Sequence, residues 1–441
     1  MDTLQQDLGL YPILAAAIRY DASDVAIKNG SPPMVKVRGE WVPVEYLYAA
    51  ARAGASALVF PPPPEPPMGV RPGEGAPFDL GRVDPAPLAG NRTEQLLEAL
   101  KQAAPALEMG PDEHGARDAS LQFNPDTLRV DPAFPPAPDD DPDRADEPDG
   151  YGLTPRDYWR LPERAFRVNH YRSEGQPATV LRILAGRVPT LEELHLPPTL
   201  YELTKHKRGL VLVTGATGSG KSSTLAALID HINRTRRAHI LTIEDPIEFP
   251  HRPQQSFFSH IEVGRDQPDF ASALRAALRQ APDVILVGEM RDRETAQVAM
   301  SAAETGHLVL ATLHTNDAPK TVDRLVNLFP SDQRGPVQAQ LATVLLGIVA
   351  QILLPRLDQP GRIPAYEIML NDPSTGISAA IREGKIQALR DAIATQPQTG
   401  MVSMDKTLEM LVRQGRVAPE VALAHATNPR ELERQIGGRI R

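Results

Sequence analysis

Cysteine is absent from this 441-residue chain. Its absence excludes a disulfide framework, a thiolate nucleophile and Cys-ligated zinc, and fits a reducing compartment. No stretch approaches the ~20 apolar residues of a membrane helix, and Met1–Leu14 lacks the basic n-region and long apolar core of a signal peptide. The expectation is a cytoplasmic protein that meets a membrane only through protein partners. Positive charge is also in deficit: the net charge of -9 repels nucleic acid from the surface as a whole, so no nucleic-acid partner is expected. The length exceeds what one hydrophobic core usually fills and predicts at least two domains.

Proline is abundant but uneven. Phe60–Pro67 reads FPPPPEPP and Val130–Asp149 reads VDPAFPPAPDDDPDRADEPD. Such segments bury too little apolar area to offset ordering entropy, so insertions are expected at about 60–90 and 130–150. Between them Leu96, Leu97, Leu100 and Ala103 have helical spacing. Leu4–Arg19 reads as an amphipathic helix and Asp24–Lys28 as a strand. Met34–Val37 with Trp41–Val44, and Ala165–Tyr171 with Thr179–Leu184, read as hairpins. An α+β domain is therefore predicted over 1–187.

From Gly209 the texture changes to short apolar runs, GLVLVT, ILTI, VILVG and LVLAT, each followed by a helical pattern. Alternation of this kind implies an α/β domain over 188–441, with a parallel sheet covered on both faces. From about 374 to 441 only helical patterns remain, as at Leu408, Leu411 and Val412.

Gly215–Ser222 reads GATGSGKS, the G-x-x-x-x-G-K-S phosphate loop, entered by an apolar strand and left by a helix. That context weighs against a chance Gly-rich turn. Backbone N–H groups of Gly215, Ala216, Thr217, Gly218, Ser219 and Gly220 turn toward the phosphates, and the helix beginning near Ser223 adds partial positive charge. Lys221 is placed for the β- and γ-phosphate oxygens and Ser222 for Mg²⁺. The pattern specifies ATP-like ligands but not what the energy does.

Hydrolysis also needs carboxylates. DVILVGEM places Glu289 just beyond a strand, as a metal-side acid, with Gly288 where Asp is usual. TIEDPIEF places Glu244, Asp245 and Glu248 after another strand, and solvated loop carboxylates are the plain alternative for each. His307 and His314 flank LVLAT and stand about 23 Å apart if extended at ~3.3 Å per residue, too far to share a ligand. His314, at the carboxyl end of the strand, is the candidate γ-phosphate contact. For His307 three roles stay open: orienting a loop, facing a neighbouring subunit, or a purely structural one.

The midpoint of Arg167 and Arg182 falls inside the turn Ser173–Pro177, so a symmetric hairpin sets them face to face. Like charges so placed need an anion or carboxylate between them, and a neighbouring subunit's nucleotide is one such anion. Two solvated arginines in a slipped register are the alternative. The run Arg234, Arg236, Arg237 is expected to stabilise the carboxyl end of its helix.

Together these residues resemble the secretion ATPase superfamily, RecA-like motors of type IV pili and type II secretion. GATGSGKS resembles its Walker A, TIEDPIEF its Asp box, VGEMRD its Walker B and TGHLVLATLHT its His box. The resemblance implies Glu248 as catalytic base, Glu289 as metal-side acid, catalytic roles for Lys221, His307 and His314, and Arg167 and Arg182 as arginines reaching a neighbour's nucleotide. It further implies ATP and Mg²⁺ as cofactors, a homohexamer, and an inner-membrane platform protein with the pilin machinery as partners, at the cytoplasmic side of the pilus base. Within the superfamily the chain most resembles the pilus retraction ATPases. ASDVAIKNGSPPMVKVRG is similar to their PAS-like domain and GISAAIREGKI to their carboxy-terminal motif, with Ser378 and Ala379 where Arg-Asn is usual. Tyr366 stands where the family commonly has His. An accessory retraction or assembly motor, a nucleic-acid motor and a nucleotide-gated binding module are the alternatives.

Overall fold

A computed structural model of the chain describes residues 10–28, 32–37, 40–52, 116–122, 145–149, 153–160, 165–183, 187–359 and 361–437. The predicted helical spacing within 91–107 and nearly all of both proline-rich stretches lie outside these residues. The chain divides into two units, Met1–Arg187 and Val188–Arg441.

In the first unit, β1 (Ala22–Lys28), β2 (Met34–Val37), β3 (Glu40–Pro43), β4 (Ala116–Gln122), β5 (Ala165–Ser173) and β6 (Gln176–Ile183) form one sheet in the order β3-β2-β1-β6-β5-β4, antiparallel throughout. Alternation sends Val25, Ile27, Val168 and Leu181 into a core shared with the helices Leu10–Arg19 and Val44–Arg52. The opposite face carries a cross-strand row: Asp24 pairs in register with Arg182, and Arg182 with Arg167.

The second unit is built on β7 (Gly209–Thr214), β8 (His239–Glu244), β9 (Phe257–Glu262), β10 (Val284–Val287), β11 (Leu308–Leu313), β12 (Leu345–Pro355) and β13 (Arg362–Leu370), ordered β13-β12-β7-β11-β10-β8-β9. All neighbours are parallel except the β12–β13 hairpin. Successive residues of the central strands feed different cores. Leu210, Leu212, Ile285, Val287, Val309 and Ala311 pack among the helices of one face. Val211, Val213, Val284, Leu286, Leu308 and Leu310 pack against Leu225, Leu228 and Ile232 of the helix Lys221–Thr235 and against Leu191–Leu203. Burial on both faces is why these strands read as unbroken apolar runs. The helices from Ile377 to Gly437 complete the unit, those from Met404 onward packing on Leu354, Ile363 and Ala365.

β9, β12 and β13 go beyond the strands expected: FFSHIE mixes polar and apolar residues on a sheet edge, and LLGIVAQILLP is equally compatible with a buried helix. One local expectation changes. Arg236 does not serve the end of its own helix. Its guanidinium donates to the carbonyls of Thr204 at 2.7 Å and His206 at 3.1 Å, tying the preceding segment down, whereas Arg234 pairs with Asp230 at 2.6 Å.

Candidate nucleotide site

Parallel register brings the carboxyl ends of β7, β11, β10 and β8 to one edge: Thr214 lies opposite Leu313, Ala311 opposite Val287, and Val287 opposite Ile243. The phosphate loop leaves β7 at this edge. Gly215, Gly218 and Gly220 take φ of 147°, 77° and 92°, values open to glycine and costly for other residues. At Gly215 space matters as well, because a Cβ there would stand 2.3 Å from the Gln351 carbonyl and 2.4 Å from Ser219 Oγ. The Lys221 ammonium donates to the carbonyls of Gly215 at 3.0 Å and Ala216 at 3.1 Å. Burial pulls it below the usual lysine value, and the charges of Glu289 and Glu248 pull the other way. Both candidate acids therefore act electrostatically on the same ammonium. Ser222 and Ser223 are half-buried in the first turn of the helix.

Glu289 follows β10 and is held from two sides. Arg291 Nε donates to its Oε1 at 2.7 Å, and His314 Nε2, just past the end of β11, stands 2.9 Å from the same oxygen. Burial pushes this carboxyl up, but the Arg291 hydrogen bond and the charges of His314 and Arg291 outweigh it, leaving Glu289 below the usual carboxylate range. The residue before it is glycine for a steric reason. Gly288 N donates to Ile243 O at 2.8 Å, and a Cβ at 288 would stand 3.1 Å from that oxygen and 3.4 Å from Glu244 Cα. The side chain usual at this point of the motif would be crowded there and would need its neighbours to give by a few tenths of an ångström.

The structure brings together the phosphate loop, Lys221, Glu248, Glu289 and His314. It does not bring His307 to them. That residue sits at the opposite end of β11, where its Nδ1 lies 3.0 Å from Ala302 O and its carbonyl accepts from Gly209 N at 3.1 Å. Arg167 and Arg182 belong to the other unit and are register partners, with Asp24 as the carboxylate beside them: Arg182 Nε to Asp24 Oδ1 is 3.0 Å.

Three contributors were not singled out in the sequence, although Arg291 lies inside the VGEMRD motif. Gln351 on β12, 1% exposed, donates its amide to Ser219 O at 2.7 Å and accepts from Thr224 Oγ1 at 2.9 Å, buttressing the loop from beneath. Arg291 orients Glu289 together with His314. Arg362, on β13, reaches Gly218 O at 3.3 Å.

A triphosphate fits this cradle by charge and by glycine geometry. Mg²⁺ would find the Ser222 hydroxyl and the Glu289 carboxylate here, hard oxygens of the kind that cation takes alongside phosphate oxygens and water. No cluster of His, Cys, Asp and Glu able to hold a metal by protein groups alone occurs among the described residues.

Residues 160–415 match the family model described as Type II/IV secretion system protein. The chain belongs to that family. Its relatives include a "Twitching motility protein" of Neisseria gonorrhoeae, 47% identical over 62% of this chain and 73% of that protein. Another is the "Type IV pilus retractation ATPase PilT" of Pseudomonas aeruginosa, 45% identical over 60% of this chain and 76% of that one. A crystal structure of the pilus retraction motor PilT with bound ADP superposes with a TM-score of 0.71, at 34% identity, covering 97% of this chain and 100% of that one. As a member of this family the chain is a nucleotide-binding ATPase with a RecA-like core. No helix among the described residues is long and apolar enough to cross a membrane.

Proposed function

We propose that this ATPase is a ring-forming motor that powers type IV pilus retraction. The likeness to the pilus retraction motor supports the role in retraction, and the observation that carries the chemistry is the convergence on Lys221 of Glu248 and Glu289, with Glu289 clamped by Arg291 and His314 at the mouth of the phosphate loop. In this reading Lys221 and the loop amides bind the β- and γ-phosphates. Glu248 takes the proton of the attacking water, and His314 both orients Glu289 and meets the γ-phosphate. Mg²⁺, held by Ser222 and Glu289, supplies positive charge at the phosphates.

A homohexamer accounts for Arg167 and Arg182, which reach a neighbour's nucleotide from a PAS-like amino-terminal domain; His307 faces the neighbour as well. Hydrolysis rotates these domains as rigid bodies and turns a platform protein of the inner membrane, so that pilin leaves the filament. The motor works on the cytoplasmic side of the pilus base, attached through protein partners.

Phosphate release by the full chain tests the chemistry. Glu248→Gln should bind nucleotide and turn over none, and steady turnover in that variant would remove Glu248 from its role. Pilus counts test the biology: a Lys221→Ala strain should carry surplus pili that do not retract, whereas bald cells would point to assembly.

A further inference from the structure

The loop that carries Glu248 is held from behind by two carboxylates. β8 and β9 end on the register pair Glu244 and Glu262. Glu262 Oε2 accepts from Ile247 N at 3.4 Å and Glu244 Oε2 accepts from Glu248 N at 3.4 Å, so consecutive amides of the loop rest on side-by-side acids. Glu262 is 5% exposed and has Arg265 at 3.6 Å as its cation. Among the described residues no cation pairs with Glu244, and its Oε1 is buried with no hydrogen-bond partner. Two carboxylates side by side, one buried and one half-buried, cannot both ionise without a cost.

We propose that Glu244 is a positioning residue for hydrolysis, holding the Glu248 amide while sharing with Glu262 a single negative charge. This rests on Glu248 being the base at this site. The member of the couple without a cation carries the proton: burial first, then the charges of Glu248 and Glu262, push Glu244 up against the hydrogen bonds of the Thr242 hydroxyl and the Glu248 amide, to about 7 in all. His260 on β9 lies 2.8 Å from Thr242 Oγ1 and burial pulls it below the usual histidine value. Asp245 adjoins the loop and feels Arg291. When Glu244 ionises, the Glu248 amide stays held but the two side-chain carboxylates repel, and the base is turned from its position without disturbing the phosphate loop.

The test is the pH profile of ATP turnover by the full-length protein. The wild type should lose kcat as pH rises through neutrality, with KM for ATP unchanged. Glu244→Gln keeps an oxygen for the Glu248 amide and cannot ionise, so it should stay active and lose that step. Glu262→Gln removes the neighbouring charge and should move the step to higher pH or flatten it only if Glu262 is the proton carrier; movement to lower pH is the expected result. Glu244→Leu, which has no acceptor, should lower kcat on the order of tenfold to a hundredfold with little change in KM. A Glu244→Gln profile retaining the wild-type step, or a Glu262→Gln step that does not fall, overturns the proposal even if Glu244→Leu does not fold. Failure of Glu248→Gln to abolish turnover would instead sink the functional reading beneath it.

Discussion

Gln351 stands beneath the phosphate loop with both amide atoms engaged. Gln351→Leu leaves the Ser219 carbonyl without its donor and Thr224 without that acceptor, which should cost about 1–3 kcal/mol of stability. It should weaken nucleotide binding too, read by thermal unfolding with and without ATP; an unchanged melting temperature in both would show the buttress to be idle. His251 titrates in the opposite sense to Glu244. Burial lowers it from 6.5 to about 3, with His260 adding to the effect, so the folded state disfavours its protonation. Its contribution is whole above the unfolded value and falls by ~1.4 kcal/mol for each pH unit below it. His251→Phe should therefore flatten the acid limb of the stability profile, measured by denaturant unfolding across that range; a limb that keeps its slope would remove His251 as the cause.

At the scale of elements, the segment leading into β7 is pinned by one histidine. Arg356 Nη1 stands 3.0 Å and Arg416 Nη2 3.4 Å from His195 Nε2. Two guanidiniums can only donate, so Nε2 is bare and the ring is neutral with its proton on Nδ1. Burial comes first, then Arg416 and Arg356, in pulling His195 below the usual histidine value, and Asp358 opposes them. The anchorage is complete above the unfolded histidine value and is lost as pH falls below it. Limited proteolysis between 188 and 206 should accelerate on acidification, whereas His195→Gln should cleave at a rate independent of pH. Equal pH sensitivity in both proteins would rule the anchor out.

For the whole molecule, the proposed ring gives the row Asp24, Arg182, Arg167 a role in assembly that mixed subunits can test. Arg182 is mostly exposed, so its pair with Asp24 adds little stability and leaves the guanidinium available to an anion. Arg182→Ala should bind ATP normally and hydrolyse it slowly. Mixing it with Lys221→Ala subunits, inactive themselves but bearing both arginines, should restore part of the turnover, because each supplies what the other lacks. No recovery in the mixture would argue against arginines acting between subunits.

The phosphate loop, the four central strands and the Arg167–Arg182 pairing were legible in the sequence for local reasons. Only glycine tolerates the backbone that the loop requires, doubly buried strands leave apolar runs, and a short turn fixes hairpin register. What held those parts in place was not legible. Gln351 reaches Ser219 across 132 positions of chain, and Glu262 meets Glu244 because β9 adds in parallel beside β8. Sequence alone determined which groups are present for phosphate chemistry. Tertiary structure decided which carboxylate is clamped by Arg291 and His314, which shares a charge with its neighbour, and that His307 lies at the far end of its strand, since burial and charge depend on what folding brings near.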